Sequence, residues 1–389
     1  MLGAQRRADG RRGSAVTGWE RARLSDVLGQ RVIYRNLAPQ DPGLPGLRDL
    51  WSQAGLASYL IPRKTSVEYA RTVWLILEHA QRARGEPQPL ERVLLIGDSA
   101  RNDGGVARNM ALERPSRAFI GTEDRTLPPS ARIDGDQMSA NRWSALSEML
   151  RWLECSAFRC DESTAVLVDL DKTLIGARGR NDPIIDLARV RAAERTASGA
   201  LGATFDVEGF RRLYARLIRP ECHWITEDNQ DYVAYLCVMV VGDVFPEPSF
   251  WTALETREIS SLMVFCDRCE DRADRMSSGL LRAHREVRAG LLSQDPTPFK
   301  SFRNDEFLET IALMDLLPDT STPEEVLASE IAITAEVLEV CRLLAARGAL
   351  VFGLSDKPDE ASLPTAKLAE RGYRPIHDTV MKVHGERIY

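Results

Sequence analysis

Three short apolar runs stand out along the chain: residues 92–97, 165–168 and 349–354. Each is nearly continuous rather than alternating, a pattern that predicts strands buried on both faces of a parallel sheet. Residues 31–35 and 117–121 predict two further short strands. Helical spacing dominates elsewhere. Val67, Ala70, Trp74 and Leu77 mark a helix over 66–83, which breaks at 85–89. Trp143, Leu146, Leu150 and Leu153 mark an amphipathic helix over 140–153. A shorter helix is predicted at 46–59, and another over 333–347 that stops at Gly348. Residues 38–45 and 127–129 read as loops, and 155–164 as a linker. The long middle, residues 189–327, shows helical patterns broken by Gly and Pro, as in 207–218 and 304–314, and no run of buried strands.

Strands alternating with helices predict an open α/β sheet with crossover helices. Ligands of such sheets bind beyond the carboxyl ends of the strands. The three strongest strands end at Gly97-Asp98, at Asp169 and at Ser355, so each delivers a polar group to one sheet edge.

The chemistry at that edge centres on Asp169-Leu170-Asp171-Lys172-Thr173. A carboxylate can attack phosphorus and form an aspartyl phosphate. A second carboxylate two residues on can protonate the leaving oxygen and then activate water. Two anions facing a phosphate require a cation, and Mg2+ suits oxygen ligands. Asp98 and Asp103, after another apolar strand, are natural further carboxylates, Asp98 direct and Asp103 supporting it. The blander alternative for both segments is an acidic turn. The Ser355 hydroxyl suits a phosphate oxygen, although a lone Ser in Ser355-Asp356-Lys357-Pro358 also suits a cap or turn. A transferred phosphoryl group needs a positive side chain. Lys64 is preferred, with Lys357 and Lys382 as competitors.

Bulk properties narrow the picture modestly. The 389 residues suggest two or three folding units. A net charge of −6 gives no reason to expect a nucleic-acid partner. No apolar run approaches the roughly 20 residues needed to span a bilayer, so no membrane association is expected. Seven scattered cysteines argue for a reducing compartment and a cytoplasmic location. Cys266 and Cys269 have C-x-x-C spacing, and Cys222-His223 would complete a zinc site only if the fold brought them close. Plain helical cysteines at i, i+3 are the favoured reading. Residues 1–14 hold four arginines, three glycines and no apolar core, which predicts a disordered tail rather than a secretory signal.

Taken together, these residues resemble the haloacid dehalogenase-like (HAD) superfamily. Its first motif looks like Asp169-Leu170-Asp171-Lys172-Thr173, its second like Ser355, its third like Lys64, and its fourth like Asp98 through Asp103. The order departs from the family, because the third and fourth motifs precede the first. The resemblance therefore implies a circularly permuted Rossmann-like parallel sheet with a large, mainly helical cap after the first motif. Residues 1–30 would be the tail, 31–154 the second half of the core, 155–188 its first strand, 189–329 the cap and 330–389 the strand with the second motif. The cap would cover the site and select substrate, with residues 176–182 as a hinge, a source of substrate-binding arginines or a solvated loop.

Dehalogenases of the superfamily lack an acid at the second position, so Asp171 implies a phosphatase or phosphotransferase. The expectation is a Mg2+-dependent phosphatase of a small phosphorylated metabolite. In it Asp169 is nucleophile and metal ligand. Asp171 is general acid/base and binds the metal through its backbone carbonyl. Asp98 and Asp103 complete the metal site, and Thr173, Ser355 and Lys64 hold phosphate. Alternatives are a phosphotransferase or mutase, a non-catalytic binding protein of the same fold, and a site closed between two chains in a homodimer, domain-swapped or joined through the cap.

Overall fold

A computed structural model describes residues 18–388. Ten strands occur among them in chain order: β1 (Arg21–Ala22), β2 (Val32–Ile33), β3 (Arg92–Gly97), β4 (Ser116–Gly121), β5 (Ala131–Asp134), β6 (Gln137–Ala140), β7 (Thr164–Asp169), β8 (Ile333–Thr334), β9 (Leu350–Leu354) and β10 (Met381–His384). Seven form one sheet in the order β2-β9-β7-β3-β4-β6-β5, parallel throughout except where β5 returns against β6.

The apolar runs bury both faces, as their lack of alternation predicts. Leu94, Ile96, Val166, Val168 and Val351 face one core, with the helices Leu146–Cys155 and Ala335–Ala346. Val93, Leu95, Ala165, Leu167, Phe352 and Leu354 face another, covered by the helices Val67–Ala83 and Asp103–Met110. The result is a three-layer α/β/α arrangement. Each buried Val, Leu or Ile contributes about 1.5–3 kcal/mol of transfer free energy, so the central strands are its most firmly held part.

The register fixes the functional edge. Val168 of β7 lies beside Ile96 of β3, and Asp169 lies beside Leu354 of β9. Asp98, Asp169 and Ser355 therefore emerge together at the carboxyl ends of three adjacent strands, although β3 precedes β7 in the chain and β9 follows it.

Between β7 and β8 the described chain has no strand. Its helices include Asp182–Leu201, Val207–Leu217, Gln230–Val241, Leu262–Glu270, Ser278–Leu292 and Lys300–Ala312. They enclose a separate apolar cluster built on Phe210, Tyr235, Phe250, Phe265 and Phe302. The first helix starts at Asp182, before residue 189, because Pro183 sits well in a first helical turn.

Several expectations need correction. The tail cannot extend to residue 30: β1 pairs with β10, and the helix Ser25–Leu28 buries Val27 and Leu28. Residues 1–17 lie outside the described range. The helix expected over 46–59 is only Leu47–Leu50, and the chain then turns through Gly55 at φ +87°. Residues 131–140 form the β5–β6 hairpin around Gly135, at φ +58°, so the following helix begins only at Leu146. The helix expected from residue 333 begins at Ala335, after β8. The C-terminal strand β10 pairs with β1 and β8 in a separate three-stranded sheet. Among the described residues no helix is long and apolar enough to cross a membrane.

Candidate active site

Lys64 lies just before the helix Val67–Ala83, whose N-terminus is capped by the Ser66 side chain. Its Nζ stands 2.6 Å from Asp103 Oδ1 and 2.7 Å from Asp169 Oδ1. All three residues are buried, Lys64 at 5% and Asp169 at 7% exposure. The competitors are engaged elsewhere. Lys357 pairs with Glu306 at 2.9 Å, and Lys382 with Glu330 at 2.8 Å.

The β3 end is built by Asp103. Its Oδ2 accepts the backbone N–H groups of Asp98 (3.1 Å) and Ser99 (2.9 Å). Gly97 makes this fold-back feasible, because a Cβ there would lie 2.4 Å from the Asp103 carboxylate. Asp98, Asp103 and Asp169 each bring a carboxylate oxygen within 4.8 Å of the others. Asp103, expected behind the others, stands in the cluster itself, since the turn that binds its Oδ2 leaves Oδ1 facing Lys64.

The cluster carries excess negative charge. Burial, then repulsion from Asp103 and Asp98, pushes Asp169 well above the usual carboxylate range, against the pull of Lys64. Burial and Asp103 also raise Asp98, opposed by Arg178 and Lys64. Burial alone would lower Lys64, but Asp103 and Asp169 outweigh it and hold the ammonium protonated. An all-oxygen donor set of this charge fits a hard divalent cation such as Mg2+. Two buried hydroxyls have no hydrogen-bond partner: Thr173 Oγ1 in the motif loop, and Tyr69 Oη on the helix that follows Lys64.

Other expected residues take different places. The Asp171 carboxylate is outside the cluster, and Arg189 Nη2 is 3.9 Å from it. The reason is local: Lys172 adopts φ +66°, and its N–H donates to Ile175 O at 2.8 Å, closing a tight turn after Asp169. Ser355 is buried and its Oγ accepts the Lys357 N–H at 3.0 Å, a turn contact. In the loop 176–182, Arg178 Nε donates to Asp98 Oδ2, and Arg180 pairs with Glu336 at 2.8 Å and Glu123 at 3.1 Å. Neither arginine is merely solvated.

Cys266 and Cys269 lie buried one turn apart in the helix Leu262–Glu270, and burial pushes their thiols up to about 11 and about 12. Among the described residues no metal-ligating group includes them. They are packing residues beside Tyr235, whose hydroxyl meets His284 Nδ1 at 2.7 Å.

A second charged assembly joins the helical segment to the sheet edge. Glu306, on the helix Lys300–Ala312, faces Lys357 (2.9 Å), Arg303 (2.6 Å) and Arg189 (3.3 Å), and Arg303 Nε donates to Asp231 at 2.8 Å. The three cations hold Glu306 far below the usual range despite burial. Sequence alone gave no sign of this assembly, since Glu306, Arg303, Arg189 and Asp231 read as ordinary helix surface and Lys357 as a lysine free to bind phosphate.

Compared with known proteins, the chain matches no family model, no curated protein and no solved structure.

Proposed function

We propose that the chain is a Mg2+-dependent phosphatase of HAD type with a circularly permuted core, acting on a small phosphomonoester through an aspartyl phosphate. The observation that carries this reading is the convergence of Lys64, Asp98, Asp103 and Asp169, drawn from both sides of the chain to the ends of adjacent parallel strands. The order β2-β9-β7-β3-β4, with the Asp169 strand at its centre, supports the permuted assignment. The separate core of the helical segment supports its role as a cap.

Asp98 and Asp169, with Asp103 beside them, would hold the cation. Bound there, Mg2+ supplies positive charge against the phosphate oxygens and the nucleophile. Asp169 attacks phosphorus, and the bond to the leaving alkoxide breaks. Asp171 gives that alkoxide its proton, then takes one from water, which attacks the aspartyl phosphate and restores Asp169. Lys64 holds Asp169 in place and offsets charge as the phosphate approaches. Thr173 brings an unpartnered hydroxyl to the same loop.

A second reading has its own observation. Lys64 and Arg178 already pair with the carboxylates, as they would in a non-catalytic binding protein that offsets most of the cluster's charge with its own side chains. The two readings separate in an assay of the purified chain against a phosphomonoester panel, with and without Mg2+, beside Asp169→Asn. Turnover that needs Mg2+ and vanishes in the variant supports the phosphatase. Turnover that survives the substitution removes Asp169 as nucleophile, and no turnover on any substrate favours the binding protein.

A further inference from the structure

The loop after Asp169 presents an arginine that the chemistry above does not use. Arg178 reaches Asp98 with its guanidinium, while its main chain is held at three points. The Arg178 N–H donates to Lys172 O at 2.7 Å. Its carbonyl accepts the Glu123 N–H at 2.9 Å and the Trp143 indole N–H at 3.3 Å. The next residue, Gly179, adopts φ +77°, and a Cβ there would lie 2.1 Å from Glu123 O. Only glycine permits so close an approach in that conformation. The backbone is therefore fixed, but the Arg178 side chain stays 42% exposed over an Asp98 side chain that is 7% exposed.

We propose that Arg178 is a displaceable latch: it pairs with Asp98 until a divalent cation takes that carboxylate, and the freed guanidinium then binds the anionic group of the substrate. The proposal rests on the metal-dependent reading above. Asp98 Oδ2 cannot serve the guanidinium and a cation equally well, and a doubly charged ion beside it repels Arg178. The anchored backbone keeps the released side chain at the rim. There its planar fork of N–H donors suits a phosphate or carboxylate and would not suit an uncharged substrate. Cation and anion binding are thereby coupled through one side chain.

The test compares the full chain with Arg178→Gln and Arg178→Lys, after thermal melts establish that all three are folded. Mn2+ binding is followed by electron paramagnetic resonance, and binding of inorganic phosphate to the Mg2+-loaded proteins by calorimetry. Arg178→Gln is expected to bind Mn2+ about threefold to tenfold more tightly and phosphate about tenfold more weakly, each a change of roughly one charged contact. Arg178→Lys should fall between. Unchanged or weaker Mn2+ binding in Arg178→Gln overturns the latch, and unchanged phosphate binding overturns the anion-binding role. If the unaltered chain and both variants bind no Mn2+ at millimolar concentration, the metal-dependent reading fails and takes the latch with it.

Discussion

Lys64 Nζ lies 2.7 Å from Asp169 Oδ1, across 105 positions of sequence and with the lysine first in the chain. The parallel pairing of β3 with β7 makes this contact available, because it brings the segment after Lys64 alongside the strand that ends in Asp169. Lys64 is buried between carboxylates, so its removal leaves their charge uncompensated. Lys64→Met is expected to cost about 3–5 kcal/mol of unfolding free energy, the usual penalty for breaking a buried ion pair from one side. Urea denaturation measures it, and added Mg2+ should return part of the loss by offsetting the same charge.

Glu306 is the corresponding keystone between the helical segment and the sheet. Glu306→Gln leaves Lys357, Arg303 and Arg189 facing a neutral group and is expected to destabilise the chain by about 3–5 kcal/mol. Because the folded protein depresses this carboxyl, its stabilisation is present above the ordinary glutamate range and fades only as pH falls below it. Denaturation of chain and variant at pH 7 and pH 3 should show the gap narrowing in acid.

The strongest elements were legible because one physical signal sufficed. Continuous apolar runs become central strands wherever both faces are covered, as in β3, β7 and β9. The polar residues that end them were legible for the same reason. The β5–β6 hairpin was not, although Asp134-Gly135 is a known hairpin signal. All four residues of β5 are exposed, so no hydrophobic pattern marked it. Strands β1, β8 and β10 are two to four residues long, and β10 pairs with β1 across most of the chain and with β8 well beyond any local window, which local pattern cannot specify. The pairings of Arg178 with Asp98 and of Glu306 with its three cations depend on tertiary approach alone.

Asp359 gives a pH prediction separate from the site. Burial raises its carboxyl to about 6, despite the Asn36 N–H that approaches it at 3.4 Å. A raised carboxyl favours folding fully below its unfolded value near 4, and that contribution is lost as pH rises through about 6. Asp359→Asn removes the loss. The variant should gain about 1–3 kcal/mol on the unaltered chain between pH 4 and pH 7, with partial exposure keeping it toward the lower end. Melting temperatures across that range show whether the two curves diverge with rising pH.

The central claim is that Asp169 becomes phosphorylated, and trapping the intermediate tests it most directly. The chain is incubated with Mg2+ and a phosphomonoester that it turns over, quenched within one turnover, reduced with borohydride and digested for mass spectrometry. Reduction of an aspartyl phosphate converts that residue to homoserine, and the label is expected at position 169 only, absent from Asp169→Asn and from samples without Mg2+. Label at Asp171, Asp98 or elsewhere, or none during active turnover, would contradict the assignment of Asp169 as nucleophile.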